Sequence, residues 1–391
     1  MLVLHGGTIV DTDGAREADV LVEDDTITAV ETDSDLPDST DADEAIDVSG
    51  SYVCPGLIDA HVHLMLDGRP DPSSVNAESE FELAYRAAAN CRAALSAGVT
   101  TVRDLGAPRT LALDAGRLID EGVMPGPRVL ACGENVVMTG GHGNWFGREA
   151  DGESEVTKAA REQLARGAEV VKCMATGGVL TEGAVIGAPE LDLEELEALV
   201  ATANAKRVPT AAHAHGTEGM RNAVRAGITS IEHGTFMDRE TAELMADRGT
   251  YWVPTASALR GIVENAEEGV PDWAVTKAEE AAGAFADAFD HATAAGVSVA
   301  MGTDAGTPFN FHGDIPRELE FMVEYGLSPA DALDAATVTA ADLLGLDNVG
   351  KVTEGYRADL VVLPEDPSKD ATAWQESREV IKAGERVRRT G

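Results

Sequence analysis

Two histidines stand one residue apart in "DAHVHLMLDG", residues 59–68, directly after the apolar run "SYVCPGLI". Side chains alternate along a strand with period 2, so His61 and His63 point to the same side. They are either two satisfied strand histidines or half of a metal site whose other ligands lie far along the chain. The sequence offers those ligands: Lys172 in "EVVKCMATGG", His213 and His215 in "HAHG", His233 in "SIEHG" and Asp304 in "GTDAG". Imidazole and carboxylate are donors that suit zinc and other first-row divalent ions. A single strand-end histidine is more often a core or loop residue; several strand ends bearing His or Asp make a constellation.

Lys172 is one of only seven lysines and sits among Val170, Val171, Cys173 and Met174. Burying an ammonium is costly and shifts it toward the neutral amine. A neutral amine can add carbon dioxide to become a carbamate, a charged two-oxygen ligand able to bridge two metals. The competing reading is a lysine with a buried stem and a head paired to an acidic group. Beside the histidines, the ligand reading is the stronger one.

These residues need elements to bring them together. From about residue 53, short apolar strands alternate with longer helices: "SYVCPGLIDAHVH", "VTTVRDL", "RVLACG", "AEVVKCM", "VPTAAHAH", "ITSIEHG", "YWVPT" and "VSVAMGTD". Helical stretches such as 77–97, 190–206 and 272–295 lie between them. Eight strand-then-helix units fit an α/β protein of the (β/α)8 barrel type better than an open sheet, whose first turn would usually carry a glycine-rich phosphate loop. In such a barrel catalytic groups sit at the C-terminal ends of strands, which is where His61, His63, Lys172, His213, His215, His233 and Asp304 fall. Residues 1–54 and 350–391 read as short strands with turns. They are expected to pair in one small β-sandwich beside a barrel spanning 55–349. The acidic, turn-rich stretch 31–47 reads as a solvated hairpin loop.

Composition narrows the function classes. Acidic residues outnumber basic ones 69 to 30, a formal charge of −39, which excludes nucleic acid as a partner because its binding needs clustered Lys and Arg. An acidic, lysine-poor surface suits solubility in high salt, where self-repulsion is screened, so a salt-adapted source is expected. No apolar run is long enough to cross a membrane, and no secretory signal is visible at the N-terminus. Cys54, Cys91, Cys132 and Cys173 are widely spaced with no C-x-x-C pair, so a reducing, cytoplasmic setting is the expectation.

Taken in order, "PGLIDAHVH", "VKCMATGG", "HAHG", "SIEHG" and "GTDAG" resemble the amidohydrolase superfamily, and more closely its imidazolonepropionase-like or Xaa-Pro-dipeptidase-like branch with a carboxylated lysine. "LSPADALDAATVTAADLLGL" and "GKVTEGYRADLVVL" match that family's final helix and its return to the β-sandwich. The resemblance covers almost the whole chain. It implies one divalent ion held by His61, His63 and Asp304, and a second held by His213 and His233. Carboxylated Lys172 and a hydroxide would bridge the two. The family ligand is the first histidine of "HAH", which leaves His215 beside the metals or facing substrate. Zinc suits this donor set best, with manganese, iron or cobalt as alternatives. Asp304 would take the proton of the attacking hydroxide and deliver it to the leaving amine. Relatives often form homo-oligomers, though no interface is legible in the sequence.

Three loops face the expected mouth. "MTGGHGNWFG" (138–147) offers His142 to hold a carboxylate or polarise a carbonyl. "ATGGVLTEGAVIGAP" (175–189) could close as a lid, and "TPFNFHGD" (307–314) offers His312 for substrate. Where some dipeptidase-like relatives carry a Tyr shortly after the strand-six histidine, this chain has "EHGTFMD" with Phe236. The small-molecule substrate expected is an amide, of dipeptides or N-acyl amino acids. Two alternatives stay open. One is a mononuclear imidazolonepropionase- or deaminase-like hydrolase, for which His215 and Glu218 spell H-x-x-E. The other is a non-enzymatic barrel.

Overall fold

The computed structural model describes residues 1–32, 43–377 and 379–387. Seven strands come first: β1 (Leu2–His5), β2 (Thr8–Asp11), β3 (Gly14–Glu17), β4 (Asp19–Glu23), β5 (Thr26–Glu31), β6 (Glu44–Asp47) and β7 (Tyr52–Pro55). The middle of the chain then alternates strand and helix: β8 (Leu57–Val62), α1 (Glu80–Ser96), β9 (Val99–Asp104), α2 (Leu111–Asp120), β10 (Arg128–Ala131), β11 (Val136–Val137), β12 (Arg148–Glu149) and α3 (Gly152–Ala165). It continues through β13 (Val171–Met174), α4 (Leu193–Asn204), β14 (Thr210–Ala214), α5 (Thr217–Ala226), β15 (Ser230–His233), α6 (Arg239–Arg248), β16 (Tyr251–Val253), α7 (Ala256–Glu264) and α8 (Asp272–Ala295). Three helices follow, α9 (Arg317–Glu324), α10 (Pro329–Ala335) and α11 (Val338–Leu344), then β17 (Leu360–Leu363), β18 (Glu379–Lys382) and β19 (Glu385–Arg386).

The chain ends share a sheet in the order β19-β18-β17-β7-β2-β3, and a second sheet runs β5-β4-β1-β6. Leu4, Ile9, Val20, Ile27, Val53, Leu360 and Ile381 form one buried apolar cluster drawn from both sheets. Residues 31–47 differ from expectation. Glu44–Asp47 is a strand paired in parallel with β1, while β5 lies at the opposite edge of the same sheet. Strands β5 and β6 are therefore not hairpin partners. Strand β6 was concealed because it is a largely exposed edge without apolar alternation. Residues 33–42, the remainder of that stretch, lie outside the described residues.

The chain leaves the terminal sheet at Pro55 and enters the central parallel strands at Leu57. Gly56 makes that step, because a Cβ there would collide with Thr100. The central strands form two parallel sheets, β10-β9-β8 and β12-β11-β13-β14-β15-β16. The expected eighth strand, "VSVAMGTD", forms only isolated parallel bridges, Trp252 to Val299 and Val62 to Ala305. Its backbone still bonds on both sides: Ala300 N–H donates to Trp252 O (2.9 Å), Ala60 N–H to Met301 O (2.9 Å) and Asp304 N–H to His61 O (2.7 Å). Residues 297–305 therefore tie the free edge of β16 to the free edge of β8. Asp304 turns left-handed, at φ 59°, directly before the bridge at Ala305.

The helices follow their sequence signals. Ser79 and Glu82 close a reciprocal capping box at the start of α1, and Leu83, Ala87, Cys91 and Ala94 form its buried face. In α8 the buried stripe is Ala274, Ala278, Ala281, Phe285, Ala288, Phe289 and Ala292, five small alanines with two phenylalanines that pack against Trp252. All four cysteines are buried and unpaired. Among the described residues, no helix is long and apolar enough to cross a membrane.

Candidate active site

The C-terminal ends of β8, β13, β14 and β15 and the closing segment 297–305 converge on one cavity. It is lined by His61, His63, Lys172, His213, His215, His233 and Asp304. Their imidazoles form a contiguous series. Ring centroids lie 5.5 Å apart for His61–His63, 5.2 Å for His61–His233, 4.6 Å for His213–His233 and 4.7 Å for His213–His215. His233 and Asp304 both hold left-handed backbone at φ 70° and 59°. Non-glycine residues persist in that conformation only where the surroundings over-determine it.

The hydrogen bonds behind the rings settle which nitrogen faces the cavity. His63 Nδ1 lies 2.9 Å from Gly106 O, a carbonyl that can only accept, so Nδ1 carries the proton. His61 Nδ1 lies 2.9 Å from Glu232 Oε2. Burial would raise the Glu232 carboxyl, but Arg103 and His61 hold it down to about 2, so it too accepts. Thr255 Oγ1 spends its proton on Pro254 O at 2.6 Å and must accept from His233 Nδ1, also at 2.6 Å. In all three residues the unprotonated Nε2 is therefore the atom left for the cavity. His215 Nδ1 meets Thr235 Oγ1 at 2.7 Å.

Those lone pairs meet further acceptors. His61 Nε2 and His63 Nε2 lie 3.4 and 3.2 Å from the same oxygen, Asp304 Oδ1. Buried Asp304 Oδ1 and His213 Nε2 have no hydrogen-bond partner. One ligand atom from each of His61, His233 and Asp304 falls within a 4.8 Å span, and the same holds for His213, His215 and His233. Buried acceptors converging without a donor between them fit a cation. Although burial works against it, Asp304 raises the His63 imidazole above its ordinary range.

Burial also lowers the Lys172 amine, against the pull of Glu232 and Asp304; its residue is only 1% exposed. The same desolvation takes His61 down to about 4, and His142 and His215 to about 3. His61, His142 and His215 are thus neutral, the form in which histidine ligates.

His142 belongs to the cavity. Its ring lies 4.3 Å from that of His213, and its backbone N–H is held by Glu190 at 3.0 and 2.9 Å. Thr181 Oγ1 accepts from Gly143 N at 3.0 Å, so the 175–189 loop is fastened to the 138–147 loop. Gly178 lets the two loops close, since a Cβ there would meet His142 Nε2 at 2.5 Å and His213 Cε1 at 2.7 Å. His312 departs from expectation. It does not line the cavity, because Gly306 N–H bonds back to Asn310 O and Phe309 N–H to Gly68 O, which turns the chain behind His63. Glu218 is exposed on the first turn of α5 and does not line the cavity either.

Reading for ligands alone misses the supporting charges. Arg103, 1% exposed, donates to Ala60 O (2.6 Å), Ser230 Oγ (3.2 Å) and Glu232 Oε1 (3.0 Å). Asp59 accepts from the backbone of His61 (2.9 Å) and from the hydroxyl of Thr303 (2.6 Å). Their signal was present: "LIDAH", "TVRDL" and "SIEHG" each place a charge inside an apolar strand.

Comparison with known proteins places the chain in a family. Residues 52–387 match the amidohydrolase family. The chain is 31% identical over 414 aligned positions to ochratoxinase from Aspergillus niger, covering 97% of this chain and 84% of that protein. A solved Xaa-Pro dipeptidase with methionine bound in its active site superposes with a TM-score of 0.91 at 31% identity, covering 99% of both chains. A prolidase complexed with N-methylphosphonate-L-proline superposes at 0.92 with 29% identity over 100% of both chains.

Proposed function

We infer the chemistry from one premise: the chain belongs to the amidohydrolase family and is a hydrolase acting on carbon–nitrogen bonds. The reading is a metal-dependent hydrolase that cleaves the amide bond of dipeptides or N-acyl amino acids. The observation that carries it is the meeting of His61 Nε2 and His63 Nε2 on Asp304 Oδ1 at 3.2–3.4 Å, a buried oxygen without a hydrogen-bond partner. The two parallel sheets joined by residues 297–305 support a (β/α)8 barrel over 55–349. The shared apolar cluster of the terminal sheets supports a β-sandwich from 1–54 and 350–391.

His61, His63 and Asp304 would hold one divalent ion and His213 and His233 the other, zinc being the best match to these donors. Lys172, as its carbamate, would bridge the pair; its burial favours the neutral amine that carboxylation needs. When bound, such ions polarise a carbonyl and lower the pKa of water. The chain's own groups do the rest. Asp304 accepts the proton of the attacking water and returns it to the leaving amine, a role worth about 10²–10⁴-fold. His142, neutral and beside His213, would hold the substrate carbonyl or carboxylate, with His215 on the far side of His213.

Elemental analysis of purified protein tests this reading together with amide turnover. Two divalent ions per chain are expected, falling with Lys172→Ala along with activity. One ion per chain in a fully active Lys172→Ala variant would establish the mononuclear alternative.

A further inference from the structure

Part of the cavity wall has a different character. Ala258, Leu259 and Ile262 project from α7, and Leu180 and Trp145 from the two loops. Ala258 and Leu259 are 7% exposed and Ile262 is 2% exposed. Among the described residues, Lys172 is the only lysine or arginine in the lining. The nearby Lys277 turns its ammonium to Thr181 O at 2.8 Å and Gly178 O at 3.4 Å. This wall therefore offers no cation to a polar substituent, and the one side-chain hydrogen-bond donor among its five residues is the unpartnered indole N–H of Trp145.

Helix α7 is also held in place. Glu318 accepts from Ala256 N (2.7 Å), Ser257 N (2.7 Å) and Ser257 Oγ (2.6 Å), fastening the helix's first turn to α9. Gly261 lets its other face press on Pro308 O, where a Cβ would collide. The residue just before the helix is Thr255, the acceptor for His233.

We propose that α7 is the specificity element of this enzyme, that its apolar face with Leu180 and Trp145 seats one large apolar or aromatic group flanking the scissile bond, and that Glu318 positions it. This rests on the amide-hydrolase reading above. A buried hydrophobic side chain gains enough transfer energy to change kcat/KM by about 10- to 100-fold.

The test is an N-acyl amino acid and dipeptide series on metal-loaded enzyme, with glycine, leucine or phenylalanine placed on either side of the amide. On one side, kcat/KM is expected to rise about 10- to 100-fold from glycine to phenylalanine. Leu259→Ala and Ile262→Ala should each lower it for the phenylalanine compound through KM, with the glycine compound unchanged. Glu318→Ala should flatten the series and Glu318→Gln, which keeps an acceptor, should restore it. Turnover without size dependence, or equal losses on both compounds, overturns the apolar subsite and leaves amide hydrolysis standing. No turnover of any member overturns the parent reading instead.

Discussion

His61 Nδ1 lies 2.9 Å from Glu232 Oε2, and the other oxygen of that carboxylate receives Arg103 at 3.0 Å. One buried acid thus sets the tautomer of a ring from β8 while being neutralised by a cation from β9. A partner behind a ligating imidazole fixes its orientation and raises its basicity. Glu232→Gln keeps the shape but removes the charge. Metal affinity, read by competition with a chelator, should fall about 10- to 100-fold. Unchanged affinity would show that His61 needs no such partner.

Gly178 closes the roof of the site. The Cβ in Gly178→Ala would push into His142 Nε2 and His213 Cε1, at 2.5 and 2.7 Å. Both rings are buried, so neither can swing to solvent. Activity should drop at least tenfold while the melting temperature stays near the parent's, because the strain is confined to the cavity roof. Full activity in the variant would mean that the 178 loop yields freely.

Glu318 gives a pH signature. Burial outweighs its three donors and raises its carboxyl from 4.5 to about 7. The folded protein then binds a proton there that the unfolded chain releases, so the group's contribution is complete below 4.5 and lost as pH rises through about 7. The bound on this effect is on the order of 3 kcal/mol. Glu318→Gln removes the term, so its stability relative to the parent should improve steadily between the two pKa values. Thermal melts of both proteins across that range measure it, and a constant difference would show that Glu318 is ionised throughout.

The formal charge of −39 gives a salt signature. The Debye length shrinks from ~30 Å at 0.01 M to ~3 Å at 1 M salt, which silences repulsion among surface carboxylates. The melting temperature should rise between dilute buffer and molar KCl. A flat profile would detach the acidic surface from salt adaptation.

Much of the architecture could be read from alternation. The strands bearing His61, Lys172, His213 and His233 are apolar runs of ordinary length bounded by turns, and the helices between them carry capping and stripe signals. What could not be read depends on contacts through space. Nothing local in "SIEHG" says that Glu232 meets Arg103, 129 positions away. Strand β6 carries little apolar pattern because three of its four residues are exposed and only Ile46 packs on the core. His312 looked available because it follows Asp304 closely, yet the tight turn through Asn310 sends it behind the site. The segment 297–305 reads as a strand but pairs only in part, and Asp304 within it takes a left-handed backbone.

That segment also dates the birth of the site during synthesis. Asp59 and Thr303 join across 244 positions, and Asp304 follows immediately. At a ribosomal pace of roughly 5–20 residues per second, His61 emerges many seconds before the residue it must meet. Contacts so distant in sequence are slow to form. An ion that needs His61, His63 and Asp304 together is therefore a ligand of the finished fold alone, and its uptake reports that the chain has closed.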